Sequence, residues 1–125
     1  MQTMNKLKSY QDLEVWKKSI VLAEMIYRLS AHFPKEEKFG LTSQIRRASI
    51  SVPANIAEGA ERNGTGEFLQ FLGIASGSLA EVETFLFLAE RLGMVTKDQI
   101  SQSLTQAADV GRMINGLKRS LRSKT

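Results

Sequence analysis

Leu41, Ile45, Ala48, Val52 and Ile56 step along the chain by four and three, with a proline among them at position 53. Such steps gather side chains on one face of a helix turning about 100° per residue. A second row, Gln44, Arg47, Ser51, Asn55 and Glu58, keeps the same phase about a quarter turn away. Proline removes one backbone hydrogen bond and crowds the preceding turn. Because both rows hold phase across Pro53, the pattern predicts one helix kinked there rather than two, ended by Gly59 and the Asn63-Gly64-Thr65-Gly66 cluster.

The same periodicity recurs in three other segments. The first helix is expected from an Asp12 cap, with the row Leu13, Trp16, Ile20, Ala23 and Tyr27 flanked by Leu22, Ile26 and Leu29. Pro34 stops it by disfavouring helical geometry at Phe33. The third helix carries two apolar rows, one from Phe68 through Leu72, Ala75, Leu79, Val82 and Leu86 to Ala89. The other runs from Phe71 through Ile74, Ser78, Glu81, Phe85 and Leu88 to Leu92, and together they predict burial over a wide face. Gly73 and Gly77, a turn apart, are expected to let a neighbouring helix approach closely. The fourth helix opens with a Thr96/Gln99 capping box and a Val95/Ile100 hydrophobic staple. No run alternates as a half-buried strand does. The expectation is therefore an all-α protein, an up-down-up-down antiparallel four-helix bundle.

A chain of 125 residues with 42% hydrophobic residues reads as one domain spanning residues 1–125, with 1–10 and 122–125 expected to be flexible. The absence of cysteine excludes disulfides and thiolate chemistry. Neither a signal peptide nor an apolar run of about 20 residues is legible, so a cytoplasmic protein with no membrane partner is expected. Charge is unevenly placed. All 13 acidic residues lie at or before Asp109, whereas Arg112, Lys118, Arg119, Arg122 and Lys124 follow it.

The polar residues of the second and third helices suggest an internal network. In an antiparallel pair, residues equally far from the Asn63 turn face each other, which sets Ser78 near Ser51 and Glu81 near Arg47. The expected network has Arg46 or Arg47 paired with Glu81, supported by Gln44, Ser51, Asn55, Glu58 and Ser78. Breaking a buried ion pair costs about 3–5 kcal/mol. A catalytic reading finds less support. Di-metal bundles use Glu-x-x-His pairs, and the single histidine, His32, stands at a helix end. The Gly64-Thr65-Gly66 loop lacks the lysine of a phosphate-binding loop. No enzyme activity, metal or cofactor is expected.

Three stretches carry a resemblance. SYQDLEVWKKS at 9–19, FPKEEKFGLTSQIRRASISVPANIAEGAER at 33–62 and FLGIASGSLAEVE at 71–83 resemble the four-helix-bundle proteins of the 23S rRNA intervening-sequence family. That family is similar to the accessory variability proteins of diversity-generating retroelements. The resemblance implies a homopentamer and, through the retroelement proteins, binding of structured nucleic acid by a basic surface. In the turn after Gly59, Glu61 and Glu67 dilute the basic character that such binding would use.

Bundle order sharpens that expectation. It gathers Lys6, Lys8, Lys17, Lys18, Arg62, Lys118, Arg119, Arg122 and Lys124 at one end, partly offset by Asp12, Glu14, Glu58, Glu61 and Glu67. A ring of subunits would repeat that surplus and strengthen binding to polyanions. The expected function is a homo-oligomer engaging structured RNA or DNA through this end. The alternative is a protein-interaction scaffold whose basic tail is only solvated.

Overall fold

In a computed structural model, which describes residues 9–124, four helices make up most of the described chain. They are α1 (Glu14–Ser30), α2 (Leu41–Ala60), α3 (Thr65–Arg91) and α4 (Lys97–Arg122), with single 3-10 turns at Tyr10–Asp12 and Lys35–Glu37. No strand occurs among the described residues. Each helix packs on the next, and α4 closes against α1.

The cross-helix contacts fix the directions. Arg46 reaches Ser30 and Tyr27, near the end of α1. Ser78 bonds Ser51, while Gly59 lies against Phe68 and Phe71. Gly111 meets Leu79, and Lys118 bonds Ser76. In each pair a later residue on one helix meets an earlier one on the other, so consecutive helices run antiparallel, as connections this short require.

α2 continues unbroken through Pro53, which is itself buried. Its apolar row from Leu41 to Ile56 is wholly buried, as is the first row of α3 from Leu72 to Ala89. At α4 both halves of the capping box form: Thr96 Oγ1 accepts from the Gln99 amide at 3.1 Å and Gln99 Oε1 from the Thr96 amide at 2.7 Å. Val95 and Ile100 beside it are buried.

Several local expectations change. Asp12 does not cap α1. Its carboxylate accepts from the Ser9 amide at 3.3 Å, while Ser9 Oγ accepts from Gln11, so the capping box closes the 3-10 turn one turn earlier. This turn includes Ser9 and Tyr10, within the stretch expected to be flexible, and the Tyr10 ring packs edge-on against Trp16. The core row of α1 is Val15, Ser19, Leu22, Ile26 and Leu29, whereas Ile20 and Tyr27 are exposed. Ser19 enters the core because its hydroxyl donates to the Trp16 carbonyl at 2.8 Å, leaving no unpaired polar atom.

On α3 only one stripe is buried. In the second, Ser78 alone is buried, and Ile74, Glu81, Leu88 and Leu92 are exposed. Gly73 and Gly77 do not mediate close packing, since a Cβ at either would meet nothing within 4 Å. That task falls to Gly59, which lies inside the last turn of α2 instead of ending it. Finally, α3 is long and apolar enough by length and composition to cross a membrane, although its inner stripe forms the centre of the bundle core.

Candidate nucleic-acid interface

The last turns of α4 carry the densest positive charge. Arg119, Arg122 and Lys124 are exposed, and half-buried Lys118 donates from Nζ to Ser76 Oγ at 3.3 Å. Arg112, a little earlier, pairs with Asp109. Arg62 pairs with Glu58 at 2.6 Å and lies 4.9 Å above the Phe71 ring, on the α3 segment that runs up to Ser76. Lys6 and Lys8 lie outside the described residues.

Lys17 and Lys18 stand apart from this group. The Lys18 carbonyl accepts from the Gln106 amide at 3.0 Å, which sets it beside the middle of α4. From Gln106 to Arg122 the helix rises roughly 24 Å. Lys17 is also paired, with Glu14 at 3.3 Å. The nine cations expected at one end therefore do not make one patch. Among the described residues, Arg62 and the end of α4 form the basic end, and Lys17 and Lys18 form a separate exposed edge. Bundle order alone does not reveal the offset between α1 and α4.

The polar rows of α2 and α3 divide into three parts. At the seam, Ser78 Oγ bonds Ser51 Oγ at 2.8 Å, and Asn55 Nδ2 donates to Ser51 Oγ at 2.9 Å and to the Ser51 carbonyl at 2.8 Å. Arg46 turns the other way, towards α1. Its Nε donates to Ser30 Oγ at 2.7 Å, its Nη2 donates to the Tyr27 carbonyl at 3.1 Å, and its guanidinium lies 4.6 Å over the Tyr27 ring.

Gln44, Arg47 and Glu81 are exposed and line an open groove of about 600 Å³ with Ala48, Ile50, Ser51 and Ala54. No ion pair joins Arg46 or Arg47 to Glu81 among the described residues, and Glu58 pairs with Arg62 instead. The expected buried ion-pair network is thus a small neutral one, of Ser51, Asn55 and Ser78. At the edge of a bundle, long charged side chains keep their heads in water, whereas short hydroxyls fit the seam.

Ser51 is the hub, since it joins both neighbours. Ser51→Ala is expected to lower stability by about 1–3 kcal/mol, because the buried Ser78 hydroxyl loses its partner. Ser78→Ala should cost about 1 kcal/mol. Urea unfolding of both variants checks this, and a larger loss for Ser78→Ala would contradict the assignment.

The sequence reading also passed over a second basic surface. Lys35, Lys38, Arg46 and Arg47 surround the start of α2 beside exposed Phe39. Its signal is the string FPKEEKFG, in which an aromatic residue follows a lysine in a turn where no core position awaits it.

Fold and surface together define a four-helix bundle with a polar seam and cationic ends. The chain belongs to the 23S rRNA-intervening sequence protein family, whose pattern matches residues 11–116. It is similar to a crystal structure of a protein of unknown function from the S23 ribosomal protein family of Bacteroides thetaiotaomicron. The two share 25% sequence identity with a TM-score of 0.77, over 83% of this chain and 97% of that one. No curated protein matches the chain.

Proposed function

We propose that the protein is a non-enzymatic, cytoplasmic homo-oligomer, a pentamer in its simplest form, that binds structured RNA or DNA through the basic end of α4. The observation that carries this reading is the placement of Lys118, Arg119, Arg122 and Lys124 beyond the last acidic residue of the chain, with three of the four exposed. Such cations engage phosphates, and phosphate contacts carry no sequence information. Self-association is supported by the apolar side chains left on the surface, among them Ile74, Phe87, Leu88 and Leu92 on α3.

Fluorescence anisotropy with a labelled RNA hairpin, repeated over a range of salt, tests the binding. Affinity should fall steeply and linearly with the logarithm of salt and differ little between hairpins of different sequence. No detectable binding at low salt, or binding indifferent to salt, would reject the reading. Native mass spectrometry tests the assembly, which a monomer at micromolar concentration would exclude. The same α3 side chains favour a second reading, a scaffold for another protein. Cellular crosslinking that recovers protein and no nucleic acid would select it.

A further inference from the structure

Where α1 hands over to α2, two adjoining hollows share Lys38, Thr42 and Arg46. The larger, about 540 Å³, is walled by Tyr27, Phe39 and Ile50 and reaches Arg47. The smaller, about 380 Å³, is walled by Phe33 and Pro34 and reaches Lys35. Four cations line the pair of hollows and no carboxylate does. Of the nearby acids, Glu37 is engaged with the Leu41 amide at 2.9 Å and Glu36 is exposed on the turn.

These four cations differ from those that are ion-paired elsewhere on the surface. Lys17, Arg28, Arg62 and Arg112 are each held by a carboxylate one turn away. Among the described residues Lys35, Lys38, Arg46 and Arg47 have no ion pair, so their charge is not offset locally. Arg46 is also fixed in place. Ser30 and Tyr27 use two of its N–H groups, and the Tyr27 ring supports its plane. A guanidinium has five N–H donors, so the remainder stay open to a ligand while the side chain has already lost its freedom.

Beside them stands Phe39, 88% exposed, with Lys38 Nζ 5.4 Å from its ring centroid. A large aromatic ring in water, next to unpaired cations, matches what single-stranded nucleic acids require. Their bases stack on aromatic faces while their phosphates follow a positive groove. We propose that the surface from Lys35 to Ile50 docks a single-stranded nucleic-acid segment. A base lies on Phe39, and the phosphates pass Lys38, Arg46 and Arg47. Two joined hollows suit a run of nucleotides better than one free nucleotide. A second copy meeting this patch with its own would set like charges face to face.

The proposal extends the nucleic-acid reading to the opposite end of the bundle, roughly 30 Å away along α2, and does not depend on the basic end of α4. Anisotropy with a short fluorescein-labelled oligouridylate at low salt tests it, with an RNA hairpin as the second probe. Phe39→Ala should weaken oligouridylate binding roughly tenfold. It should leave hairpin binding and the melting temperature unchanged, because the ring is exposed. Lys38→Gln combined with Arg47→Gln should weaken oligouridylate binding and flatten its salt dependence. Wild-type affinity in both variants would overturn the proposal. So would dissociation of the oligomer by Phe39→Ala, which would make this face a contact between copies. Hairpin binding without oligouridylate binding rejects this site alone, and the converse rejects only the site on α4.

Discussion

Gly59→Leu is expected to lower stability by about 3 kcal/mol and the melting temperature by roughly 10 °C. A Cβ at this position would lie 2.8 Å from Phe71 Cβ, 2.9 Å from Phe68 Cδ1 and 3.3 Å from the Phe68 carbonyl oxygen. Carbon atoms rest at about 3.5–4.0 Å. Phe71 Cβ is fixed to its backbone, so no rotamer change relieves the contact and α2 must move away from α3. That seam joins the buried rows of two helices and holds the Ser51–Ser78 bond. Removing a helical glycine returns only about 1 kcal/mol.

Thermal unfolding at one fixed protein concentration reads the effect without a contribution from assembly. Wild-type stability in the variant would refute the close approach. Gly77→Ala is the matched control. With nothing within 4 Å of its Cβ and a position inside α3, it should gain about 0.5–1 kcal/mol. A loss there would place another copy of the chain against that face.

The second large effect concerns binding. Replacing Lys118, Arg119 and Arg122 together by glutamine should remove about three phosphate contacts, each lowering the slope of log affinity against log salt by about 0.7–0.9. The loss of hairpin affinity between about 50 and 200 mM salt would then shrink by roughly twenty- to fortyfold. Lys17→Gln with Lys18→Gln is the comparison. Those residues lie beside Gln106, and Lys17 is already paired with Glu14. The double variant should change the slope by less than one contact. Equal effects from the two sets would mean that binding follows net charge, not the end of α4.

Much of the seam is legible in the sequence. Equal spacing from the Asn63 turn set Ser51 opposite Ser78, and the two hydroxyls meet at 2.8 Å. The same count set Arg47 opposite Glu81, yet both are exposed and unpaired with each other. Register along a helix pair follows from counting. Whether a side chain at that level enters the seam depends on its length and on the water within its reach. The second basic surface was hidden for a related reason. Its residues come from the end of α1, a turn and the start of α2, and in the sequence Arg46 and Arg47 belong to the polar stripes of a single helix.

The chain by itself determined the four helices, the capping box of α4, the buried row of α2 and the family. These follow from short-range periodicity and from motifs that act within a few residues. Tertiary structure alone decided which face of α1 turns to the core and that only one of the two stripes of α3 does. On α1 the buried row passes through Ser19, and Ser30 and Ser49 are buried likewise. Each serine donates to a carbonyl three residues back in its own helix, at 2.8, 3.3 and 2.8 Å respectively. A hydroxyl satisfied within its own helix packs as a small apolar group, although it reads as polar in the sequence. Periodicity fixes the angle between side chains on one helix, and only contact with its two neighbouring helices fixes the rotation of that helix. The same rotation left Gly59 in the tight seam, Gly73 and Gly77 open, and four unpaired cations around Phe39.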